Sequence, residues 1–408
     1  MFGWLIVTII AFLRQKGNFL DKIHGNMKKI CAIICEYDPF HNGHKYQIEQ
    51  ARRQSGCDFV LCLMSGSFVQ RGYPASVDKH TRTKHALQNG ADMVVLLPTV
   101  FATSSAYTFA LGACKILSHL RVSHLSFGIE PECMDIIKNV DNWDFDKIKM
   151  LSKDLSKTGI NSAKAYQQAV LQLYGDRQSQ SFDKPNFVLA YEYCKAIKNL
   201  NQNIKVVPIV RTNEYHCSNL TKPFASATAI RRALQDGLNY DEYVPYQTIE
   251  IQQNNDIHFF EKTLLLYLKN TDIEILNHIN GVTEGIGYKL KKQCQNISDY
   301  HSLIDATKSK RYLHSRIRRI LLQNYLGITK DIVEQSLNAS TIYCHLLGIK
   351  QENLHIMKNF DSLWVRQKDI PSAKEHTSLL GIENRADKFY GMLSGINNVQ
   401  LGDGLIKV

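Results

Sequence analysis

The chain has 408 residues, 44% of them hydrophobic and 21% charged, enough for two domains with a sizeable core and unlike a disordered or fibrous chain. Lysine and arginine outnumber aspartate and glutamate, 49 to 38, a formal net charge of +11; this suggests a polyanionic partner, although a generically basic surface gives the same figure. The ten cysteines form no C-x-x-C pair, which excludes zinc-ribbon spacing and fits a reduced, cytoplasmic compartment.

Met1 to Leu13 is strongly apolar and is followed by Arg14-Gln15-Lys16. That run is too short to span a bilayer as a helix. It also lacks the basic start and small-residue end of a signal peptide. Met27-Lys28-Lys29-Ile30 looks like a natural start. Residues 1–26 are therefore expected to be an extension outside the fold, either upstream of the true start or a dispensable leader. A short membrane anchor is the alternative. No membrane partner is expected.

Ile30 to Cys35 is a short apolar run that predicts a buried parallel strand. Glu36-Tyr37-Asp38-Pro39-Phe40-His41-Asn42-Gly43-His44 follows, and a helical pattern then runs from Lys45 to Arg53. Two histidines thus sit on a strand-to-helix turn, where α/β sheets bind ligands. The helix N-terminus there favours phosphate. Gly43 leaves the backbone open to a ligand. His41 and His44 can point to one side and stabilise charge on a phosphate by donating hydrogen bonds. Two exposed turn histidines without a role are the plainer alternative.

Phe59–Met64 predicts a second strand, closed by the small-residue loop Ser65-Gly66-Ser67-Phe68-Val69-Gln70-Arg71-Gly72. Lys79 to Asn89 reads as a helix ending at Gly90. Met93–Leu97 is a third strand, stopped by Pro98. Ala102 to Leu120 predicts one long helix, and His124–Gly128 a fourth strand. Glu132 to Ser181 is expected to be a polar helical insertion over the ligand face. Val188 to Lys198 predicts a helix, and Lys205–Val210 a fifth strand. The alternation predicts an α/β fold with a doubly wound, mostly parallel sheet.

Past that strand, Ala225-Ser226-Ala227-Thr228-Ala229-Ile230-Arg231-Arg232 is the second informative stretch. Ser226 and Thr228 can cap a helix and offer hydroxyls to phosphate. Arg231 can reach a β- or γ-phosphate with a planar fork of donors. An ordinary capped helix with surface arginines is the alternative. Arg211 ends the fifth strand, and Tyr215-His216 follow it. Asn186 can hydrogen-bond a base or ribose, and Gly128 permits close approach of an adenine or ribose. The loop Met64-Ser65-Gly66, with Gln70-Arg71-Gly72 and Asp78-Lys79, is a candidate for the second substrate. After about Gly237 strand signals fade. Phe259–Leu268, Leu303–Lys308, Tyr312–Tyr325 and Ile332–Leu337 read as helices. The expected division is a nucleotide-binding catalytic domain over 27–245 and a mainly helical, basic domain over 246–408.

The His-x-Gly-His turn resembles the HxGH nucleotidyltransferase superfamily. EYDPFHNGHKY, MSGSFVQRG, DKHTR, ALQNGADMVVLLP, FATSSAYTFA, FGIE, KPNFVLAYEY, PIVR, YH and FASATAIR occur in order. Together they resemble the bacterial tRNA(Met) cytidine acetate ligase family. Weaker echoes are EGIGYKL, TKSKRYLHSRIRRILL and YCHLLGI. The resemblance implies the HxGH type of α/β fold with a helical C-terminal domain. It also implies a carbon–nitrogen ligase that activates acetate with ATP as acetyl-adenylate, then acetylates N4 of the wobble cytidine, C34, of elongator tRNA(Met). AMP and pyrophosphate leave; Mg²⁺ is expected with ATP, and acetyl-CoA is not.

The resemblance carries ATP contacts to Ile34, Cys35, Glu36, Tyr37, Asp38, Pro39, Phe40, His41, Asn42, Gly43, His44, Lys45, Tyr46 and Gln47. It carries them also to Gly128, Asn186 and Arg211. Catalysis falls to His41, His44 and Arg231, with Ser226 and Thr228 at the pyrophosphate. Two positions depart from the family. It has asparagine where this chain has Asp38, and a polar residue where this chain has Phe187, which would move the Asn186 assignment by one. A small-molecule nucleotidyltransferase and a non-catalytic RNA-binding relict are the rival readings.

Lys308, Lys310, Arg311, Arg316, Arg318 and Arg319 form a basic cluster, with Lys289, Lys291 and Lys292 as a second patch. Leu313, Ile317, Ile320 and Leu321 recur at helical spacing as a buried stripe. A solvated charged face is the ordinary reading. The resemblance turns it towards tRNA phosphates.

Overall fold

The computed structural model describes residues 28–160, 162–211, 224–247, 255–339, 343–360, 363–365, 374–396 and 405–408. The N-terminal extension and the pair Tyr215-His216 lie outside them. Five strands are parallel: β1 (Ile30–Cys35), β2 (Phe59–Ser65), β3 (Met93–Leu97), β4 (His124–Ile129) and β5 (Lys205–Val210). Their residues are mostly buried, as continuous apolar runs in a helix-covered sheet should be. From β1 the sheet grows one way through β2 to β3 and the other way through β4 to β5. The direction of winding therefore switches between β1 and β4. Side chains leaving the carboxyl ends of those two strands border a ready-made crevice.

The C-terminal region is helical as expected, but it also completes the sheet. β6 (Cys344–Ile349) pairs antiparallel with β3, while β7 (Leu363–Trp364) and β8 (Ile406–Lys407) add to β6. The apolar run CHLLGI carries no local mark of which distant strand it will join. Buried charge fastens this region to the sheet domain. Lys79 Nζ lies 2.5 Å from Asp387 Oδ2, with the two side chains 0% and 2% exposed. Ser67 donates its hydroxyl to the other Asp387 oxygen at 2.7 Å. Glu383 takes both the amide and the hydroxyl of Thr99.

The predicted helix over 102–120 is two helices, Thr99–Ala102 and Ala106–His119. Hydroxyls cause the break. Thr103 and Ser104 donate back to carbonyls four residues earlier, and Ser105 caps the second helix by accepting from the Thr108 amide at 3.3 Å. Phe101 then folds onto Gly112, where a Cβ would come within 2.4 Å of the ring. The insertion after β4 is helical, as expected. It packs on the helix Pro185–Asn199 through Trp143, Tyr166, Tyr174 and Tyr191.

Gly72 decides how the helix His314–Leu326 seats. Its φ is +78°, and a Cβ there would lie 2.9 Å from the backbone of both Arg318 and Arg319. Loop and helix therefore touch backbone to backbone. Ile317, Ile320 and Leu321 are buried as expected, whereas Leu313 is 57% exposed. The described cysteines are all free. Among the described residues no helix is long and apolar enough to cross a membrane.

Candidate active site

The helix after β1 begins at Asn42 and ends at Ser55, with His41 as its N-cap. His41 folds its ring back so that Nδ1 accepts the Gly43 amide proton at 3.1 Å. That bond requires Nδ1 to be unprotonated and leaves the neutral ring's proton on Nε2. Burial, then Arg211 and Arg231, holds the His41 pKa down at about 3. His44 stacks on it with ring centroids 3.6 Å apart. Burial, then His41 and Arg211, pushes His44 well below the usual imidazole range. Both rings are thus neutral near pH 7. The buried Nδ1 of His44 makes no hydrogen bond among the described residues.

This arrangement changes two expectations. Gly43 is needed for His41: a Cβ there would lie 2.9 Å from His41 Cε1. The helix N-terminus is also less open than its sequence suggests. The Gly43 amide meets the His41 ring, and the His44 and Lys45 amides both meet the His41 carbonyl. The groups left to face a phosphate are the His41 Nε2–H, the His44 ring edge and the dipole itself.

Asp38, only 3% exposed, turns away from that helix end. Its Oδ1 accepts both the amide and the hydroxyl of Ser76 at 2.6 Å. Its Oδ2 lies 3.7 Å from Arg71 and 3.6 Å from Arg231. Two arginines therefore balance its charge. Arg231 projects from the helix Ala227–Gln235, whose N-cap Ser226 accepts the Ala229 amide at 3.1 Å. Arg231 donates to the Asp38 carbonyl and, at 3.0 Å, to the Thr228 hydroxyl.

Across the crevice, the Arg211 side chain crosses β4 at Gly128, where a Cβ would meet its Cγ at 3.1 Å. Gly128 thus makes way for Arg211. Asn186 donates its amide to Glu130 Oε1 at 2.8 Å, and its oxygen lies 3.5 Å from Arg211. Phe187 is fully buried against Phe182 and Tyr191. The residue at the crevice is therefore Asn186.

These groups enclose a cavity of about 250 Å³. Ile34, Cys35, Glu36, Tyr37, Asp38, His41, His44 and Gln47 line it from one side. Gly128, Asn186, Arg211, Ser226, Thr228 and Arg231 line it from the other. Gly43 and Tyr46 line an adjoining annex of about 60 Å³ with Phe224 and Ile209. Four expected contacts stand off the cavity. Pro39 and Phe40 are buried in the core, Lys45 is exposed, and Asn42 donates to the Glu242 carbonyl at 2.8 Å. Among the described residues none between Ile129 and Asn186 lines the cavity, so the described part of the helical insertion does not cover it.

Of the second-substrate candidates, Gln70 and Arg71 line the cavity. Met64, Ser65 and Lys79 are fully buried, and Asp78 caps the helix Lys79–Gln88. Sequence reasoning passed over Glu130 and Ser76. Glu130 closes FGIE and was within reach as a carboxylate at a strand end. Ser76 carries no local mark. It also passed over the role of Arg82, fully buried, which gathers the carbonyls of Glu36, Ser65, Gly66 and Val77 and so fixes both loops.

The basic cluster is partly structural. Arg316 donates to the Gly281 carbonyl and pairs with Glu284 at 3.1 Å. Burial pulls the Arg319 pKa down to about 10. Lys292, Lys308 and Lys310 remain exposed. Among the described residues no cluster of three side chains is able to hold a metal ion.

A family model described as HIGH Nucleotidyl Transferase matches residues 27–402. The tRNA(Met) cytidine acetate ligase of Clostridium kluyveri is 33% identical over 391 residues, covering 90% of this chain and 95% of that protein. That of Latilactobacillus sakei is 34% identical over 374 residues, covering 88% and 93%. Among solved structures, apo Thermotoga maritima TmcAL matches with a TM-score of 0.83 at 25% identity, covering 93% of this chain and all of that one. The form of that protein bound with alpha-thio ATP gives a TM-score of 0.81 at 24% identity, over 93% and 99% of the two chains, a likeness of fold.

Proposed function

This chain belongs to the HIGH nucleotidyl transferases and, within them, to the tRNA(Met) cytidine acetate ligase family, and we propose that it activates acetate with ATP and acetylates N4 of the wobble cytidine of elongator tRNA(Met). One observation carries this reading. His41, whose ring proton sits on Nε2, and His44 line the same cavity as Arg231 and Arg211. Neutral donors on one side and guanidinium forks on the other suit a triphosphate whose α-phosphorus gains charge as it is attacked. The apolar annex beside Phe224 suits an adenine ring.

An acetate oxygen attacks the α-phosphorus in line, and the bond to the pyrophosphate oxygen breaks. His41 and His44 stabilise the added charge, while Arg231 and the Ser226–Thr228 turn hold pyrophosphate as it leaves. The tertiary fold supplies the rate mainly by position. The N4 amine then bonds to the acetyl carbonyl carbon. The carbon–oxygen bond to AMP breaks, and the amine proton passes to the AMP phosphate. The exposed lysines of the C-terminal region meet tRNA phosphates.

The test is incubation with ATP, acetate and tRNA without acetyl-CoA, followed by digestion and mass spectrometry. N4-acetylcytidine is expected. His44→Ala should abolish acetate-dependent pyrophosphate release, and an unchanged rate in that variant would sink the assignment.

A further inference from the structure

A second cavity, of about 440 Å³, lies behind the ATP-facing one. That is within the range of about 300–1,000 Å³ typical of small-ligand sites. Asp38, Arg71 and Arg231 line both cavities, so the two share a wall. The rest of the second cavity draws on distant parts of the chain. Tyr73 follows the Gln70-Arg71-Gly72 loop, Glu261 comes from the helix Ile257–Asn270, and Arg318 comes from the helix His314–Leu326.

Tyr73 and Arg318 form one surface. The guanidinium lies 5.1 Å from the Tyr73 ring centroid. The Arg318 Nε is buried and makes no hydrogen bond among the described residues. The backbone contact at Gly72 holds the two residues together. An aromatic ring beside a guanidinium is how proteins hold bases splayed out of single-stranded RNA loops. Glu261, whose carboxylate lies 2.9 Å from His301, lines the same cavity.

The proposed reaction needs two such chambers. The activated acyl group forms in the first. A planar base must then reach it with an amine, and a base can do so only when turned out of its loop. We propose that the second cavity is the acceptor site: the target cytosine stacks against the Tyr73–Arg318 pair, with N4 directed at Arg71, Asp38 and Arg231. This assignment rests on the acetate-ligase reading above. Asp38, Arg71 and Arg231 line both cavities, so the cytosine and the acetyl-adenylate would meet at these residues.

The experiment reads both half-reactions on full-length Tyr73→Ala and Tyr73→Phe. Acetate-dependent exchange of labelled pyrophosphate into ATP reports activation. N4-acetylcytidine formed in tRNA reports transfer. Loss of a stacking face should lower the ratio of transfer to exchange by about tenfold or more in Tyr73→Ala. Tyr73→Phe, which keeps the ring, should restore it. Transfer and exchange falling in proportion, or a wild-type ratio in Tyr73→Ala, overturns the acceptor site. If Tyr73→Ala shows no cooperative melting transition, Arg318→Met is read for the same ratio. Wild-type protein that makes no N4-acetylcytidine removes the ligase reading and the acceptor site with it, before any variant is compared.

Discussion

Arg231 reaches from its own helix to Asp38, donating to the Asp38 carbonyl and lying 3.6 Å from its carboxylate. The Asp38 carboxylate lies between Arg231 and Arg71, which balance its charge. In Asp38→Asn the amide keeps an oxygen for Ser76 but no longer holds the guanidinium groups. Both then turn their full charge to the triphosphate. The KM for ATP should fall about threefold or more, measured by acetate-dependent pyrophosphate exchange. A higher KM would show that Asp38 positions the arginines for phosphate.

The two stacked histidines make stability depend on pH. Their folded pKa values lie below the unfolded one, with His41 at about 3 and His44 well below the usual range. Between about pH 3 and the unfolded imidazole value of about 6.5, the unfolded chain binds protons that the folded chain refuses. Stability is therefore full above about pH 6.5 and declines as pH falls through that window. Melting temperatures from pH 8 to pH 5 should drop less for His44→Gln than for wild type. Parallel curves would refute the buried neutral state.

Arg231 bridges the Asp38 carbonyl and the Thr228 hydroxyl with separate nitrogens. A lysine has no planar fork to do both. Arg231→Lys should cut acetate-dependent exchange by about tenfold or more. Ser226→Ala loses the N-cap bond to the Ala229 amide and should cost about 1 kcal/mol, read as a lower melting temperature. Loss of exchange as severe in Ser226→Ala as in Arg231→Lys would give Ser226 a direct chemical role.

The Lys79–Asp387 pair is buried, and Ser67 adds a bond to its carboxylate. Asp387→Leu strands a buried ammonium and should cost about 3–5 kcal/mol. Lys79→Met with Asp387→Leu removes both charges and should recover most of that loss. Urea titration of the two variants and the wild type checks it. A double variant as unstable as the single one would mean that the pair is net stabilising.

What the sequence determined by itself was local. The apolar run Ile30–Cys35, the turn through His44 and the Ser226 cap each depend on neighbours within a few residues. Periodicity and capping chemistry act over that distance, so strand, turn and helix were all legible. The two-sided growth of the sheet followed from the alternation of elements, and with it the place of the crevice.

Only the tertiary structure decided where side chains point and what the distant chain contributes. Cys344–Ile349 has the composition of a strand, but its partner β3 lies far upstream. The division at Thr103–Ser105 came from hydroxyl bonds that compete with an otherwise helical, apolar run. His41 curls onto Gly43, Arg211 crosses Gly128, and Asp38 turns to Ser76. Each of these depends on packing among elements that meet only when the sheet closes. The turn specified the chemistry, because residue types carry it. The folded chain decided which of those residues face the cavity, because long-range burial alone sets their direction.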